Sequence, residues 1–129
     1  MSHFTKVKTK IKCLVTLRKA LEAMGYSIKE GERHCRGYQG ELAECEMVID
    51  TKASYDIGVV KTAEGYELIG DWDMLEVRAG IEQDSFVGEL NKKYAYYRIM
   101  DEVAKQGYEV VEETEDEQDV VTVRVRRWS

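Results

Sequence analysis

Tyr55-Asp56-Ile57-Gly58-Val59-Val60-Lys61-Thr62-Ala63-Glu64-Gly65-Tyr66-Glu67-Leu68-Ile69-Gly70-Asp71-Trp72 is the stretch from which the fold can be read outward. Two strand-like runs, Tyr55 to Lys61 and Tyr66 to Trp72, flank Thr62-Ala63-Glu64-Gly65, whose glycine suits a short hairpin connection. Just upstream, Glu44 to Asp50 sets Cys45, Met47 and Ile49 on one side and Glu44, Glu46 and Asp50 on the other, the period of a strand. The three runs predict an antiparallel meander.

The flanks add helices and further strands. Thr5, Val7, Thr9 and Ile11 alternate with Lys6, Lys8, Lys10 and Lys12, predicting a half-buried strand with a lysine face. From Cys13 the period changes: Leu14, Leu17, Leu21 and Met24 recur at helical intervals, and Gly25 supplies a stop. Tyr26 to Lys29 reads as a short strand, and Gly31, Gly37 and Gly40 punctuate a polar loop. Residues 73–84 show no firm period and read as irregular. A second, longer helix is expected from Asp84 or Ser85 to Gln106, ended by Gly107; its apolar band widens at Tyr96, Ile99, Met100 and Val103. Tyr108 to Val111 and Val120 to Arg127 then form a closing hairpin around an acidic turn, Glu112 to Asp119. This order predicts an α+β fold, two helices packed on one face of a mainly antiparallel sheet of about five to seven strands. All of 1–129 is expected to form a single domain.

Composition narrows the classes. In 129 residues, 43% hydrophobic content beside 34% charged content excludes collagenous, disordered and membrane-spanning chains. No uncharged apolar run approaches the roughly 20 residues a bilayer requires, and the basic opening segment lacks the pattern of an export signal. The net charge of −6 disfavours nucleic acid and anionic lipid as partners of the whole molecule. Cys13, Cys35 and Cys45 match no disulfide framework, so a reducing, cytoplasmic setting is expected.

Motifs in order along the whole chain carry a family resemblance: Met1-Ser2-His3-Phe4-Thr5, Arg36-Gly37-Tyr38-Gln39-Gly40, Tyr55-Asp56-Ile57-Gly58, Tyr66-Glu67-Leu68, Asp71-Trp72, Tyr94-Ala95-Tyr96 and Arg126-Arg127-Trp128. Together they resemble the hypothetical chloroplast reading frame thirty-five family, a group of unknown function found in cyanobacteria, plastids, other bacteria and phages. The resemblance implies no catalytic residue set. It implies an accessory role beside AAA-type ATPases or ubiquitin-like domains, and a plastid stroma location for a plastid-encoded copy. The chain departs from the family around residues 73–84, where a second aromatic residue beside Trp72 is expected.

Candidate chemistry is sparse. His34, Cys35 and Cys45 lack the paired close spacings of a zinc site, so no metal and no cofactor is expected. Cys35, beside Arg33, His34 and Arg36, is the one thiol whose neighbours could favour a thiolate. Asp56, Asp71 and Asp73 could gather as an acidic pair, although two strand carboxylates and a solvated loop is the plainer reading. Arg36, Gly37, Tyr38, Gln39 and Gly40 form the best ligand or partner-binding loop, with Trp72 at the end of the meander as a further contact residue. The phosphate-loop and dinucleotide patterns are absent. If the first and last strands were neighbours, Lys6 to Lys12, Arg124, Arg126 and Trp128 would make one cationic face; edge protection is the plainer reading. Two functions follow: a non-catalytic module with a protein partner, able to self-associate through the second helix, or a small enzyme or ligand-binding protein using Arg36 to Gly40 and Cys35.

Overall fold

A computed structural model describes residues 3–118 and 120–127. Nine strands and three α-helices run in the order β1 (Thr5–Lys8), α1 (Leu14–Ala23), β2 (Ser27–Ile28), β3 (His34–Arg36), β4 (Leu42–Glu44), β5 (Met47–Asp50), β6 (Ile57–Thr62), β7 (Gly65–Gly70), α2 (Trp72–Ala79), α3 (Gln83–Lys105), β8 (Tyr108–Glu115) and β9 (Val121–Arg127) among the described residues. The class is α+β, as expected. Contacts gather into two compact units, Met1–Tyr94 and Ala95–Ser129.

The first unit holds a five-stranded antiparallel sheet in the order β1-β7-β6-β5-β2 and a separate two-stranded hairpin, β3-β4. The meander is present in register, with Val59 opposite Leu68 and Met47 opposite Val59. Register also sorts the faces. Thr5, Val7, Leu68, Gly70, Val59 and Ile57 share one face, while Lys6, Ile69, Gly58 and Val48 share the other. On the first face Leu75 of α2 comes close to Gly70. Leu17 and Leu21 of α1 and Leu90 of α3 are fully buried.

The second face is not left to solvent. The β3-β4 hairpin lies across it, with Cys35 beside Gly58 and Ile69. This explains why Met47, Val48 and Ile49 are all buried, against the one-sided alternation read in the sequence. It also breaks the run Glu44 to Asp50 in two: β4 ends at Glu44, and Cys45-Glu46 carry the chain from hairpin to sheet.

The segment 73–84, read as irregular, contains α2. Two turns are too short to show a period, but its end signals are clear. Asp71 Oδ1 accepts the Met74 N–H at 3.2 Å at the start, and Gly80 stops the helix in a left-handed conformation. β1 is shorter than the lysine alternation suggested. Past Lys8 the ladder gives way to individual bonds: Thr9 donates its hydroxyl to the Tyr66 carbonyl at 2.6 Å, and Ile11 turns inward to full burial.

The second unit contains the C-terminal half of α3 and the β8-β9 hairpin. β8 extends to Glu115, so Glu112 and Glu113 are strand residues, and Asp116 Oδ1 closes the turn by accepting the Gln118 and Val120 N–H groups at 2.9 and 3.0 Å. β1 and β9 belong to different sheets, so the condition for a joint cationic face, that they pair as neighbours, is not met. Arg124 instead pairs with Glu112 at 3.0 Å and Arg126 with Glu109, and Trp128, like Met1, Ser2 and Asp119, lies outside the described residues.

The close approach of hairpin and sheet is testable at Gly58. A Cβ there would lie 2.8 Å from Ile69 Cγ2 and 3.1 Å from Cys35 Cβ. Gly58→Ala is expected to lower stability by about 1–3 kcal/mol in urea denaturation. Gly88→Ala, an exposed helical position with open space around it, is the control and should raise stability by up to about 1 kcal/mol.

Candidate functional site

Arg36 ends β3, and its side chain turns to Asp56 at the start of β6. Its Nε donates to Asp56 Oδ2 at 2.9 Å and its Nη2 to Oδ1 at 3.1 Å, a two-pronged pairing that suits a planar guanidinium. Lys29 Nζ donates to the same Oδ1 at 2.8 Å, and the Arg36 backbone N–H to Oδ2 at 2.9 Å. Arg36 Nη2 also reaches the Ala53 carbonyl at 2.7 Å, while the Asp56 N–H returns to the Arg36 carbonyl at 3.1 Å. Asp56 is 1% exposed. Burial by itself would raise its pKa; the hydrogen bonds from Arg36 and Lys29 and the Arg36 charge override that and hold the carboxyl below the usual aspartate value.

The loop beyond Arg36 is a tight turn. The Gly37 N–H donates to the Glu41 carbonyl at 2.7 Å, and the Glu41 N–H to the Tyr38 carbonyl at 3.2 Å. Gln39 and Gly40 are both left-handed, at φ 55° and 78°. Gly37 is needed for a different reason: a Cβ on it would stand 2.4 Å from the Phe4 ring, which the turn covers. Tyr38 is half-buried, leaving Gln39 and Gly40 as the exposed tip.

Other sequence candidates lie elsewhere. Cys35, the thiol whose cationic neighbours could favour a thiolate, is fully buried and points to the Asp56 carbonyl at 3.2 Å. Burial, with Cys45 and Asp56 nearby, outweighs Arg36 and Lys29 and pushes the thiol up to about 12, so it is a protonated packing group. Trp72 is 6% exposed, lies tilted beside Phe86 with ring centroids 6.2 Å apart, and donates its indole N–H to the Thr5 carbonyl at 3.1 Å. It is a core residue and no surface contact. Asp56, Asp71 and Asp73 have separate structural roles: the first holds the hairpin, the second caps α2 and the third is exposed in its first turn.

Two surface features are not evident from sequence spacing. An open depression of about 360 Å³ lies where the hairpin meets β6, lined by Arg33, His34, Glu44, Cys45, Glu46 and Lys61. Its charges are mixed and Arg33 is already 3.4 Å from Glu46. Among the described residues no group of three His, Cys, Asp or Glu side chains could hold a metal ion. In the second unit a largely apolar groove of about 420 Å³ separates the end of α3 from β8, lined by Met100, Val103, Ala104, Gly107, Tyr108 and Val110. Beside these, Ile99 is 54% exposed, and Tyr96 donates its hydroxyl to Glu113 at 2.8 Å. The wide apolar band of the second helix was the readable signal for this groove; its β8 wall became visible only with the chain folded.

Fold and site together define a small α+β protein with an antiparallel sheet capped by a salt-bridged hairpin. The chain belongs to the family described as protein of unknown function (DUF1257), whose profile matches residues 20–124, in keeping with the resemblance read from its motifs. It is similar to "uncharacterized protein ycf35" of Cyanophora paradoxa, 34% identical over 128 residues, covering 99% of this chain and 98% of the relative. The proteins of the same description from Pyropia yezoensis and Guillardia theta are 30% and 29% identical, over 100% and 99% of this chain and 99% and 98% of theirs. No solved structure matches the chain.

Two measurements check the geometry. Asp56→Ala, which leaves Arg36 and Lys29 without their shared anion, is expected to cost about 2–4 kcal/mol of stability. Because the folded pKa of Asp56 is depressed, its contribution is present above the unfolded value of about 4 and is lost as pH falls through the lower folded value. The difference between wild type and Asp56→Asn should therefore shrink on acidification below about pH 4. Iodoacetamide at about pH 8 should leave Cys35 unmodified in the native protein and alkylate it after denaturation, read by mass spectrometry.

Proposed function

We propose that this protein is a non-catalytic interaction module whose contact surface is built from the C-terminal half of α3 and the β8-β9 hairpin. The supporting observation is the apolar groove of Met100, Val103, Tyr108 and Val110, flanked by exposed Ile99 and Val111. Exposed apolar residues in the first unit, Val15, Leu42 and Val77, are scattered over α1, β4 and α2, which is ordinary for a protein surface. A groove that sets an aromatic residue and a methionine beside exposed aliphatic ones has the character of a protein contact.

The alternative enzyme built on Arg36 to Gly40 and Cys35 draws no support from the geometry. The Arg36 guanidinium is engaged by Asp56 and Ala53, and the Cys35 thiol is buried and protonated. The partner sought is a protein; an AAA-type ATPase or a ubiquitin-like protein is the first class to test, on the family resemblance. An aqueous compartment, cytoplasm or plastid stroma, accords with the described helices, none of which is long and apolar enough to cross a membrane.

Affinity capture from the native cell with quantitative mass spectrometry tests the surface. Ile99→Glu should reduce recovery of specific partners by about tenfold or more while the thermal midpoint stays within a few degrees. Gln39→Ala, at the exposed tip of the turn, should recover the wild-type set. Equal recovery by Ile99→Glu and wild type would refute the assignment.

A further inference from the structure

β1 and β8 each pair with one neighbour among the described residues, β1 with β7 and β8 with β9. Each therefore presents an unpaired row of backbone donors and acceptors. Their side chains carry opposite charges in the same pattern. Lys6 and Lys8 lie two residues apart on one face of β1, with Val7 between them on the other. On β8, a register shift between Val110 and Glu112 absorbs Val111, so Glu109 and Glu112 become successive positions on one face, opposite Arg126 and Arg124. Both like-charged pairs thus repeat at roughly 7 Å, one pleat. Val110 stands between the glutamates as Val7 stands between the lysines.

These charges discriminate among edge pairings. β1 against β1 sets lysine opposite lysine, and β8 against β8 sets glutamate opposite glutamate, both unfavourable. β1 against β8 makes a Lys-Glu-Arg ladder on one face and brings Val7 to Val110 on the other. We propose that two copies of this chain associate by adding β1 of each to the free edge of β8 of the other. Each such addition joins the five-stranded sheet of one copy to the two-stranded sheet of the other. The inference rests on the C-terminal unit as the contact surface and names its occupant as a second copy.

Light scattering on the full chain tests it. Wild type is expected to be a dimer at about 100 μM, with the dissociation constant rising at least tenfold as salt increases from about 0.05 to 0.5 M. Lys6→Glu with Lys8→Glu should be monomeric. A second variant, Glu109→Lys, Arg126→Glu, Glu112→Lys and Arg124→Glu, keeps the pairs inside the hairpin but reverses β8, and should also be monomeric. Mixing the two variants restores opposite charges at both interfaces, so a mixed dimer should form. Circular dichroism confirms folding, and if the second variant is unfolded the first variant and the salt series decide. A monomeric wild type, a dimer that persists in the lysine variant, or folded variants that stay monomeric on mixing overturns the inference. If a wild-type dimer ignores these charges but Ile99→Glu disrupts it, the C-terminal surface stands and the strand pairing falls. If the charge exchange works while Ile99→Glu keeps every partner, the groove reading falls and the strand pairing stands.

Discussion

One buried carboxylate, that of Asp56, determines where the β3-β4 hairpin can lie. An anion at 1% exposure is tolerable only when its oxygens are matched, and here Arg36 and Lys29 reach it from two different parts of the chain. The consequence is architectural. With β3 tied to the start of β6, Cys35 is pressed onto Gly58 and the second face of the sheet is closed. Val48 and Ile69 can then be apolar on a face that would otherwise meet water.

The irregular backbone between β1 and α1 has its own solution. α1 starts at Cys13 without a side-chain cap, yet the N–H groups of Lys12 and Cys13 both donate to the Tyr94 hydroxyl at 3.0 Å. At the other end of β1 the Trp72 indole N–H holds the Thr5 carbonyl. Each aromatic side chain buries an apolar body and spends its single polar atom on backbone, pairing groups that the short strand and the uncapped helix start do not pair themselves. The Tyr66 backbone adds an ordinary main-chain bond, its amide N–H donating to the Ile11 carbonyl at 3.0 Å.

The same residue types therefore serve inside this molecule that elsewhere serve ligands. Arginine beside glycine can present a guanidinium to a phosphate, but Arg36 presents it to Asp56, and Gly37 makes room for Phe4. A thiol among cations can be a nucleophile, but Cys35 is packed into the hairpin floor, where burial outweighs those cations. The chemically conspicuous part of the chain is consumed by folding, and the apolar groove lies apart from it, in the C-terminal unit.

Periodicity along the chain determined the meander, both amphipathic helices, the closing hairpin and the α+β class, because each depends on neighbours a few residues apart. The sequence holds no uncharged apolar run of the length a membrane-spanning helix needs, and motif order identified the family. The tertiary structure decided the rest. α2 is too short to show a period and was marked only by Asp71 and Gly80 at its ends. That the 31–43 segment would fold over the sheet depends on Asp56 meeting Arg36 across 20 residues of sequence, a pairing that no local pattern encodes. Exposure of Gln39, burial of Cys35 and Trp72, and the groove beside β8 follow from which surfaces meet, and such meetings are set by packing between segments far apart in the chain.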